Sequence, residues 1–203
     1  MGYKEIYNEW LTNAYFDADT KAELERIASD ENEIKERFYT DLEFGTAGLR
    51  GIIGAGTNRM NIYTVRKATQ GLANYILKSG NAEKGVAIAF DSRRMSPEFA
   101  QEAACCLAAN GIKAYVFDSL RPTPELSYAV RKLGCIAGIN ITASHNPPEY
   151  NGYKVYWEDG AQITPPHDKG IMDEVKAVTD YTTMKTMPAE DAKAAGLYEV
   201  IGA

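Results

Sequence analysis

The stretch with the most chemical potential in this chain covers residues 142–148, whose sequence is Thr-Ala-Ser-His-Asn-Pro-Pro. It places a hydroxyl, an imidazole and a carboxamide at adjacent positions, in Ser144, His145 and Asn146, directly after an apolar run. A serine at the end of a strand, beside a group that carries protons, could act as a nucleophile or carry a phosphoryl group. The alternative interpretation is an ordinary turn, in which Ser144 and Asn146 hydrogen-bond to the local backbone.

The residues before this stretch alternate between short apolar runs and amphipathic segments. We interpret the runs at 85–90, 112–117 and 135–141 as strands, separated by helices that begin at Ser96-Pro97 and Thr123-Pro124. In both helices the serine or threonine is expected to cap the helix just before a proline. Nearly continuous apolar strands that alternate with helices are typical of a parallel sheet covered on both faces. The predicted fold is therefore α/β, with three αβα layers and a mostly parallel, mixed sheet.

Polar residues follow each of the three predicted strands, at 91–94, 118–122 and 142–148. Ligands of open α/β sheets bind at the carboxyl ends of the strands. We therefore expect the three polar segments to share one site.

The flanking segments have weaker patterns. Residues 1–40 are predicted to form a charged helical extension without chemistry, in which Thr20 and Glu23 have the spacing of a capping box. Residues 41–203 are predicted to form the α/β domain. Within it, residues 151–157 alternate apolar and polar side chains before a Glu-Asp-Gly turn, which indicates a hairpin at the sheet edge.

A cluster of glycines lies ahead of the first long helix of the α/β domain, which is predicted from Asn61 to Gly80. The cluster is formed by Gly45, Gly48, Gly51, Gly54 and Gly56. Such glycines allow close backbone approach in binding loops, but they also occur in plain surface hairpins. Both interpretations stay open from the residues alone.

The composition excludes several classes of protein. Hydrophobic residues make up 45% and charged residues 25%, as in ordinary globular chains. The net charge of −6 argues against broad nucleic-acid binding, and no apolar run reaches the roughly 20 residues of a membrane span. Three cysteines without metal-ligand spacing favour a reducing, cytoplasmic location. Glycine motifs for dinucleotides or for a P-loop are absent from the sequence.

Three segments together resemble one family. Residues 142–156 resemble the phosphoserine loop of the α-D-phosphohexomutases, the phosphoglucomutase and phosphomannomutase family. Residues 44–51, Phe-Gly-Thr-Ala-Gly-Leu-Arg-Gly, resemble its amino-terminal Gly-Leu-Arg-Gly motif, and residues 91–93 resemble a third shared turn. The resemblance covers roughly residues 41–178 and is closest to the phosphoglucomutase and phosphopentomutase branch.

The resemblance implies a phosphosugar mutase that interconverts glucose 1-phosphate and glucose 6-phosphate. Ser144 would be a phosphoserine that gives its phosphoryl group to the sugar and recovers another from a bisphosphorylated intermediate. Glucose 1,6-bisphosphate would be both intermediate and activator. Pentose and mannose phosphates are the alternative substrates.

The resemblance also assigns roles to individual residues. The catalytic set would be Ser144, Lys154 as general acid and base, His145, and Arg50 as the cation that neutralises phosphate. The substrate-binding set would be Thr46, Arg50, Ser144, His145, Asn146 and Lys154. Mg²⁺ would bind a phosphate oxygen on Ser144, with its remaining ligands outside this chain.

The family builds its site from four domains, and this sequence matches only the first. The Asp-Gly-Asp-x-Asp-Arg metal loop, the Gly-Glu-x-Ser-Gly sugar loop and the carboxyl-terminal phosphate-clamping domain are absent from it. We therefore expect a first domain that is inactive alone, with the remaining domains and a sugar phosphate as its partners. Two other hypotheses stay open: a non-catalytic sugar-phosphate-binding module, and a small phosphatase-like hydrolase.

Overall fold

The computed structural model describes residues 2–45 and 48–202, and a mixed sheet lies at the centre of this part of the chain. Its strands are β1 (Gly48–Ile52), β2 (Val86–Phe90), β3 (Ala114–Phe117), β4 (Ala137–Ile141), β5 (Tyr150–Trp157) and β6 (Tyr198–Ile201). Their order across the sheet is β1-β5-β4-β2-β3-β6. β4, β2, β3 and β6 are parallel to one another, whereas β5 pairs antiparallel with both β4 and β1.

Helices cover both faces of this sheet. They are α1 (Tyr3–Thr12), α2 (Ala18–Arg26), α3 (Glu31–Phe38), α4 (Ile62–Ser79), α5 (Ser96–Ala109), α6 (Thr123–Leu133), α7 (His167–Ala177) and α8 (Ala189–Ala194). α4, α5 and α7 pack on one face in the main core, and α6 packs on the other. The three-layer αβα prediction is therefore confirmed. None of these helices in the described part of the chain is long and apolar enough to cross a membrane.

The amino-terminal helices form a second, aromatic core against α4. Trp10 stacks on Phe16 with ring centroids 4.2 Å apart, and both rings also contact Tyr63 of α4. Arg37 of α3 donates to the Ala55 carbonyl at 3.1 Å and pairs with acidic side chains of α2 and α3. These three helices brace the loop that follows β1. The division into a helical extension at 1–40 and an α/β domain at 41–203 stays a prediction.

The predicted position of the hairpin is wrong, because β5 lies inside the sheet. The chain does turn after β5, and a single bridge joins Tyr156 to Gln162. However, residues 48–52 of the glycine cluster form β1 and pair along the far side of β5. The edges of the sheet are therefore β1 and β6, and the cluster contributes an edge strand rather than an isolated hairpin.

The predicted helix caps are wrong at three of the amino-terminal ends. α2 is capped by Asp17, whose carboxylate accepts from the Thr20 N–H at 2.7 Å. In α5 and α6, Ser96 and Thr123 are the first helical residues rather than the caps. The hydroxyl of Ser96 is committed elsewhere, since it donates to Asp91.

Candidate functional site

The backbone of Ser144 has a conformation that L-residues rarely adopt. Its φ is +58°, in the left-handed region, and its N–H donates to the Thr142 hydroxyl at 2.9 Å. A non-glycine residue in this region costs about 1–3 kcal/mol and persists only where its surroundings hold it. The side chain of Ser144 is exposed. The loop after β4 therefore presents the Ser144 hydroxyl to solvent on a constrained backbone.

Arg93 supplies much of that constraint. Its guanidinium donates to the carbonyls of Ser144 and Asn146, both at 2.7 Å, and to those of Pro147 and Tyr150 at 2.9 and 3.1 Å. A planar fork of fixed donors suits such an arrangement, which a single ammonium could not reproduce. Arg93 therefore holds the shape of the serine loop through its backbone carbonyls.

A buried polar brace holds the turn that carries Arg93. Asp91 accepts from the Arg93 N–H and from the Ser96 hydroxyl, both at 2.9 Å. Asn151, which is fully buried in β5, donates to the Ser96 hydroxyl and to the Arg94 carbonyl, both at 2.9 Å. Sequence reasoning missed Asn151, although a carboxamide within a strand pattern is the kind of signal that could have identified it.

Arg50 reaches the serine loop from β1. Its guanidinium donates to the Asn146 carboxamide oxygen at 2.9 Å, and its side chain is exposed. The antiparallel register places Arg50 opposite Gly152 of β5. Two residues predicted to bind substrate, far apart in sequence, are thus brought into direct contact.

Lys154 lies two residues further along β5, on the same face of the sheet. Partial burial and the nearby Arg50 guanidinium lower the pKa of its ammonium, while the Asp91 carboxylate opposes that shift. A lysine needs a lowered pKa to accept protons near neutral pH. Its environment is therefore compatible with the predicted acid and base role.

Positive charge is concentrated around the exposed serine. A cavity of about 430 Å³ is lined by Ser144, Asn146, Arg93 and Arg94, with Asp91 as its acidic member. Arg50 and Lys154 lie on the neighbouring strands. In a chain with a net charge of −6, such a cluster creates a local field that favours an anion.

Not every predicted residue joins this cluster. The side chain of His145 is exposed and makes no hydrogen bond within the described ranges, and Thr46 lies outside the described residues. The expectation that residues 118–122 share the site is wrong. Arg121 pairs there with Asp118 and donates to the Gly202 carbonyl, because β3 lies next to β6, two strands away from β4.

The part of the chain that the structure describes contains no group of three histidine, cysteine, aspartate or glutamate side chains able to hold a metal ion. Asp91, the carboxylate that lines the cavity beside Ser144, is already occupied by Arg93 and Ser96. These residues do not by themselves fit an Mg²⁺ site, which needs several oxygen donors.

Gly152 is the close-approach point between the serine loop and β1. A Cβ there would lie 2.6 Å from the Thr142 carbonyl oxygen and 2.9 Å from that of Leu49. Gly152→Ala is therefore expected to destabilise the chain by roughly 1–3 kcal/mol, measured as a lower urea midpoint. Gly51→Ala is the matched control, since its Cβ meets only the flexible end of Leu42. Equal midpoints for the two variants would contradict the prediction.

Comparisons with known proteins agree on one family. A profile described as "Phosphoglucomutase/phosphomannomutase, alpha/beta/alpha domain I" matches residues 41–182. A phosphoglucomutase of Staphylococcus epidermidis is 53% identical over 160 residues, which cover 79% of this chain and 27% of the relative. A human phosphopentomutase is 44% identical over 163 residues, covering 75% of this chain and 27% of the relative.

The solved structures lead to the same fold. A candidate phosphomannomutase from Thermus thermophilus superposes with a TM-score of 0.65 at 29% identity, covering 80% of this chain and 33% of that one. The chain thus spans less than a third of the length of the curated relatives it matches.

Proposed function

Because the chain belongs to the phosphoglucomutase/phosphomannomutase family and matches its first domain, we propose that it is the catalytic-serine domain of a phosphosugar mutase. The observation that supports this most directly is the exposed Ser144 hydroxyl, held on a strained backbone among basic side chains. Phosphoryl transfer depends mainly on positioning and on neutralising the charge of the phosphate oxygens. The site offers both.

The proposed reaction interconverts glucose 1-phosphate and glucose 6-phosphate. In the first half, a sugar hydroxyl attacks the phosphorus and neutral Lys154 accepts the hydroxyl proton, while the bond between phosphorus and the Ser144 oxygen breaks and that oxygen leaves with the electron pair. In the second half, the same Ser144 oxygen attacks the other phosphate of the bisphosphorylated sugar, and Lys154 gives its proton to the sugar oxygen that is released. Pentose and mannose phosphates are alternative substrates for the same chemistry.

The other residues of the site would hold the substrate. Arg50 would neutralise the transferred phosphoryl group, and its contact with Asn146 would keep the serine loop and β1 in register. His145 would assist proton transfer or orient the loop, and Thr46 would contribute a substrate contact. Bound Mg²⁺ would supply further charge neutralisation at a phosphate oxygen on Ser144, and its other ligands would have to come from outside the described residues.

We propose further that the chain is inactive alone, since the sugar-reading and metal loops of the family are absent from its sequence. Its partners would then be the remaining domains of a longer enzyme. Binding of glucose 1,6-bisphosphate by this chain alone, in the micromolar range by calorimetry, would favour the binding-module hypothesis instead. Release of inorganic phosphate from a sugar phosphate would favour the hydrolase.

The test is the phosphorylation state of Ser144. The full-length gene product that contains this sequence is incubated with glucose 1,6-bisphosphate and digested, and the peptide bearing Ser144 is analysed by mass spectrometry. We expect one phosphate on Ser144, which turns over when glucose 1-phosphate is added. Ser144→Ala should carry none and should lack mutase activity. A Ser144→Ala variant with full activity would overturn the proposed role.

A further inference from the structure

Arg94 is a cationic side chain of the serine cavity that makes no polar contact of its own. The cavity has three charged members, Asp91, Arg93 and Arg94. Arg93 pairs with Asp91 at 3.5 Å and gives its other donors to carbonyls of the serine loop. The side chain of Arg94 is exposed, and within the described ranges its guanidinium donates to no carboxylate or carbonyl. Because the charges of Asp91 and Arg93 balance, the net positive charge of the cavity belongs to Arg94.

The backbone around Arg94 is fixed on both sides. The Arg94 carbonyl accepts from the fully buried Asn151 side chain at 2.9 Å. The next residue, Met95, has a φ of +62°, in the left-handed region, and its carbonyl accepts from the Phe99 N–H of α5 at 2.9 Å. A left-handed residue other than glycine persists only where its surroundings hold it. The turn after β2 therefore carries a long, uncommitted cation on a constrained backbone, as the loop after β4 carries its serine.

Arg94 and Arg50 lie on opposite sides of the serine loop. In the sheet, β4 has β2 as its neighbour on one side, and β5 followed by β1 on the other. β2 and β4 are parallel, so the segments that follow them meet at one edge of the sheet, where a cavity of about 430 Å³ joins Arg94 to Ser144. Arg50 reaches the loop from β1, through Asn146. A group attached to the Ser144 oxygen would have a guanidinium on either side.

We propose that Arg94 binds the phosphoryl group that Ser144 carries, on the side opposite Arg50. A phosphorylated serine bears about 1.5 to 2 negative charges at pH 7 and three strong acceptor oxygens, which is more charge than one cation neutralises. The planar guanidinium of an arginine can donate to two of those oxygens at once. Arg94 is then a phosphate-binding residue, and this role rests on the phosphoserine of the proposed function. An unmodified serine offers the guanidinium no charge, which agrees with the lack of a described partner for Arg94.

The test compares the labelling of individual arginines in two versions of the 203-residue chain, one with serine and one with phosphoserine at position 144. Phosphoserine is incorporated during synthesis, so no enzymatic phosphorylation is needed. Both chains are treated with phenylglyoxal at about pH 8, where phosphoserine is a dianion, and each arginine is followed by mass spectrometry. We expect the phosphate to slow the modification of Arg94 about threefold to tenfold, because a guanidinium held by an anion reacts less readily.

Arg26 is the matched control, because it is an exposed arginine on α2 that does not line the cavity. Its modification rate should be equal in the two chains. Equal rates at Arg94 in the two chains, slowing at Arg50 alone, or equal slowing at Arg94 and Arg26 would each overturn the proposal. The labelling needs no turnover. A full-length gene product whose Ser144 takes no phosphate from glucose 1,6-bisphosphate would therefore refute the proposed function and leave the result at Arg94 unaffected.

Discussion

Replacing Arg93 with lysine is expected to lower kcat of the proposed glucose 1-phosphate reaction about 100-fold, with a much smaller change in KM. The lysine keeps the positive charge but cannot donate to all the carbonyls that Arg93 holds, at Ser144, Asn146, Pro147 and Tyr150. Ser144 would then be free to leave its left-handed conformation, at φ +58°. A displacement of about 1 Å in a reacting group is enough for a loss of this size.

Kinetics are measured on the full-length gene product, and the conformational order of the serine loop is measured on the 203-residue chain. In the chain, Arg93→Lys should make residues 144–150 more sensitive to limited proteolysis. Arg131→Lys is the matched control, because Arg131 is exposed on α6 and its guanidinium donates to the Ser127 carbonyl of the same helix. Wild-type kcat together with wild-type proteolysis in Arg93→Lys would show that the loop does not depend on this residue.

The fold could be predicted from the sequence where the signal is local. Continuous apolar runs identify buried strands, and Asn61 and Gly80 mark the ends of α4, with a side-chain cap at Asn61 and a left-handed φ of 72° at Gly80. The position of β5 could not be predicted in this way. It depends on pairing with β1, about 100 residues earlier, and the glycines of β1 weaken the strand pattern there.

The same distinction between local and long-range signals applies to the residues of the site. Motifs are sufficient to identify Ser144, Arg50 and Lys154, because each lies in a segment with a distinctive order of residues. The contacts that position them are long-range and produce no local sequence pattern. Arg93 donates to carbonyls about 50 residues away, and Asn151 links β5 to the turn after β2.

The Lys154 amine should prove to be a source and acceptor of protons rather than a fixed charge. Lys154→Arg keeps a cation that cannot be deprotonated in proteins, and Lys154→Met removes both the charge and the proton. Both variants are therefore expected to lose about 10²–10⁴-fold in kcat for the full-length gene product. If Lys154→Arg kept near wild-type activity, Lys154 would serve only to neutralise the phosphate.

Stability should move in the opposite direction to activity in Lys154→Met. Because burial and Arg50 lower the pKa of Lys154 in the folded chain, the unfolded chain binds the proton more tightly. The resulting loss of folding stability is complete at pH values below the pKa of Lys154 in the folded chain. It fades as the pH rises towards the ordinary lysine value of 10.5. Lys154→Met should thus raise the urea midpoint of the 203-residue chain at neutral pH, with a smaller gain in alkali. Lys132→Met, at an exposed position on α6, should show no such gain, and a lower midpoint for Lys154→Met at neutral pH would mean that the ammonium is stabilised by the fold.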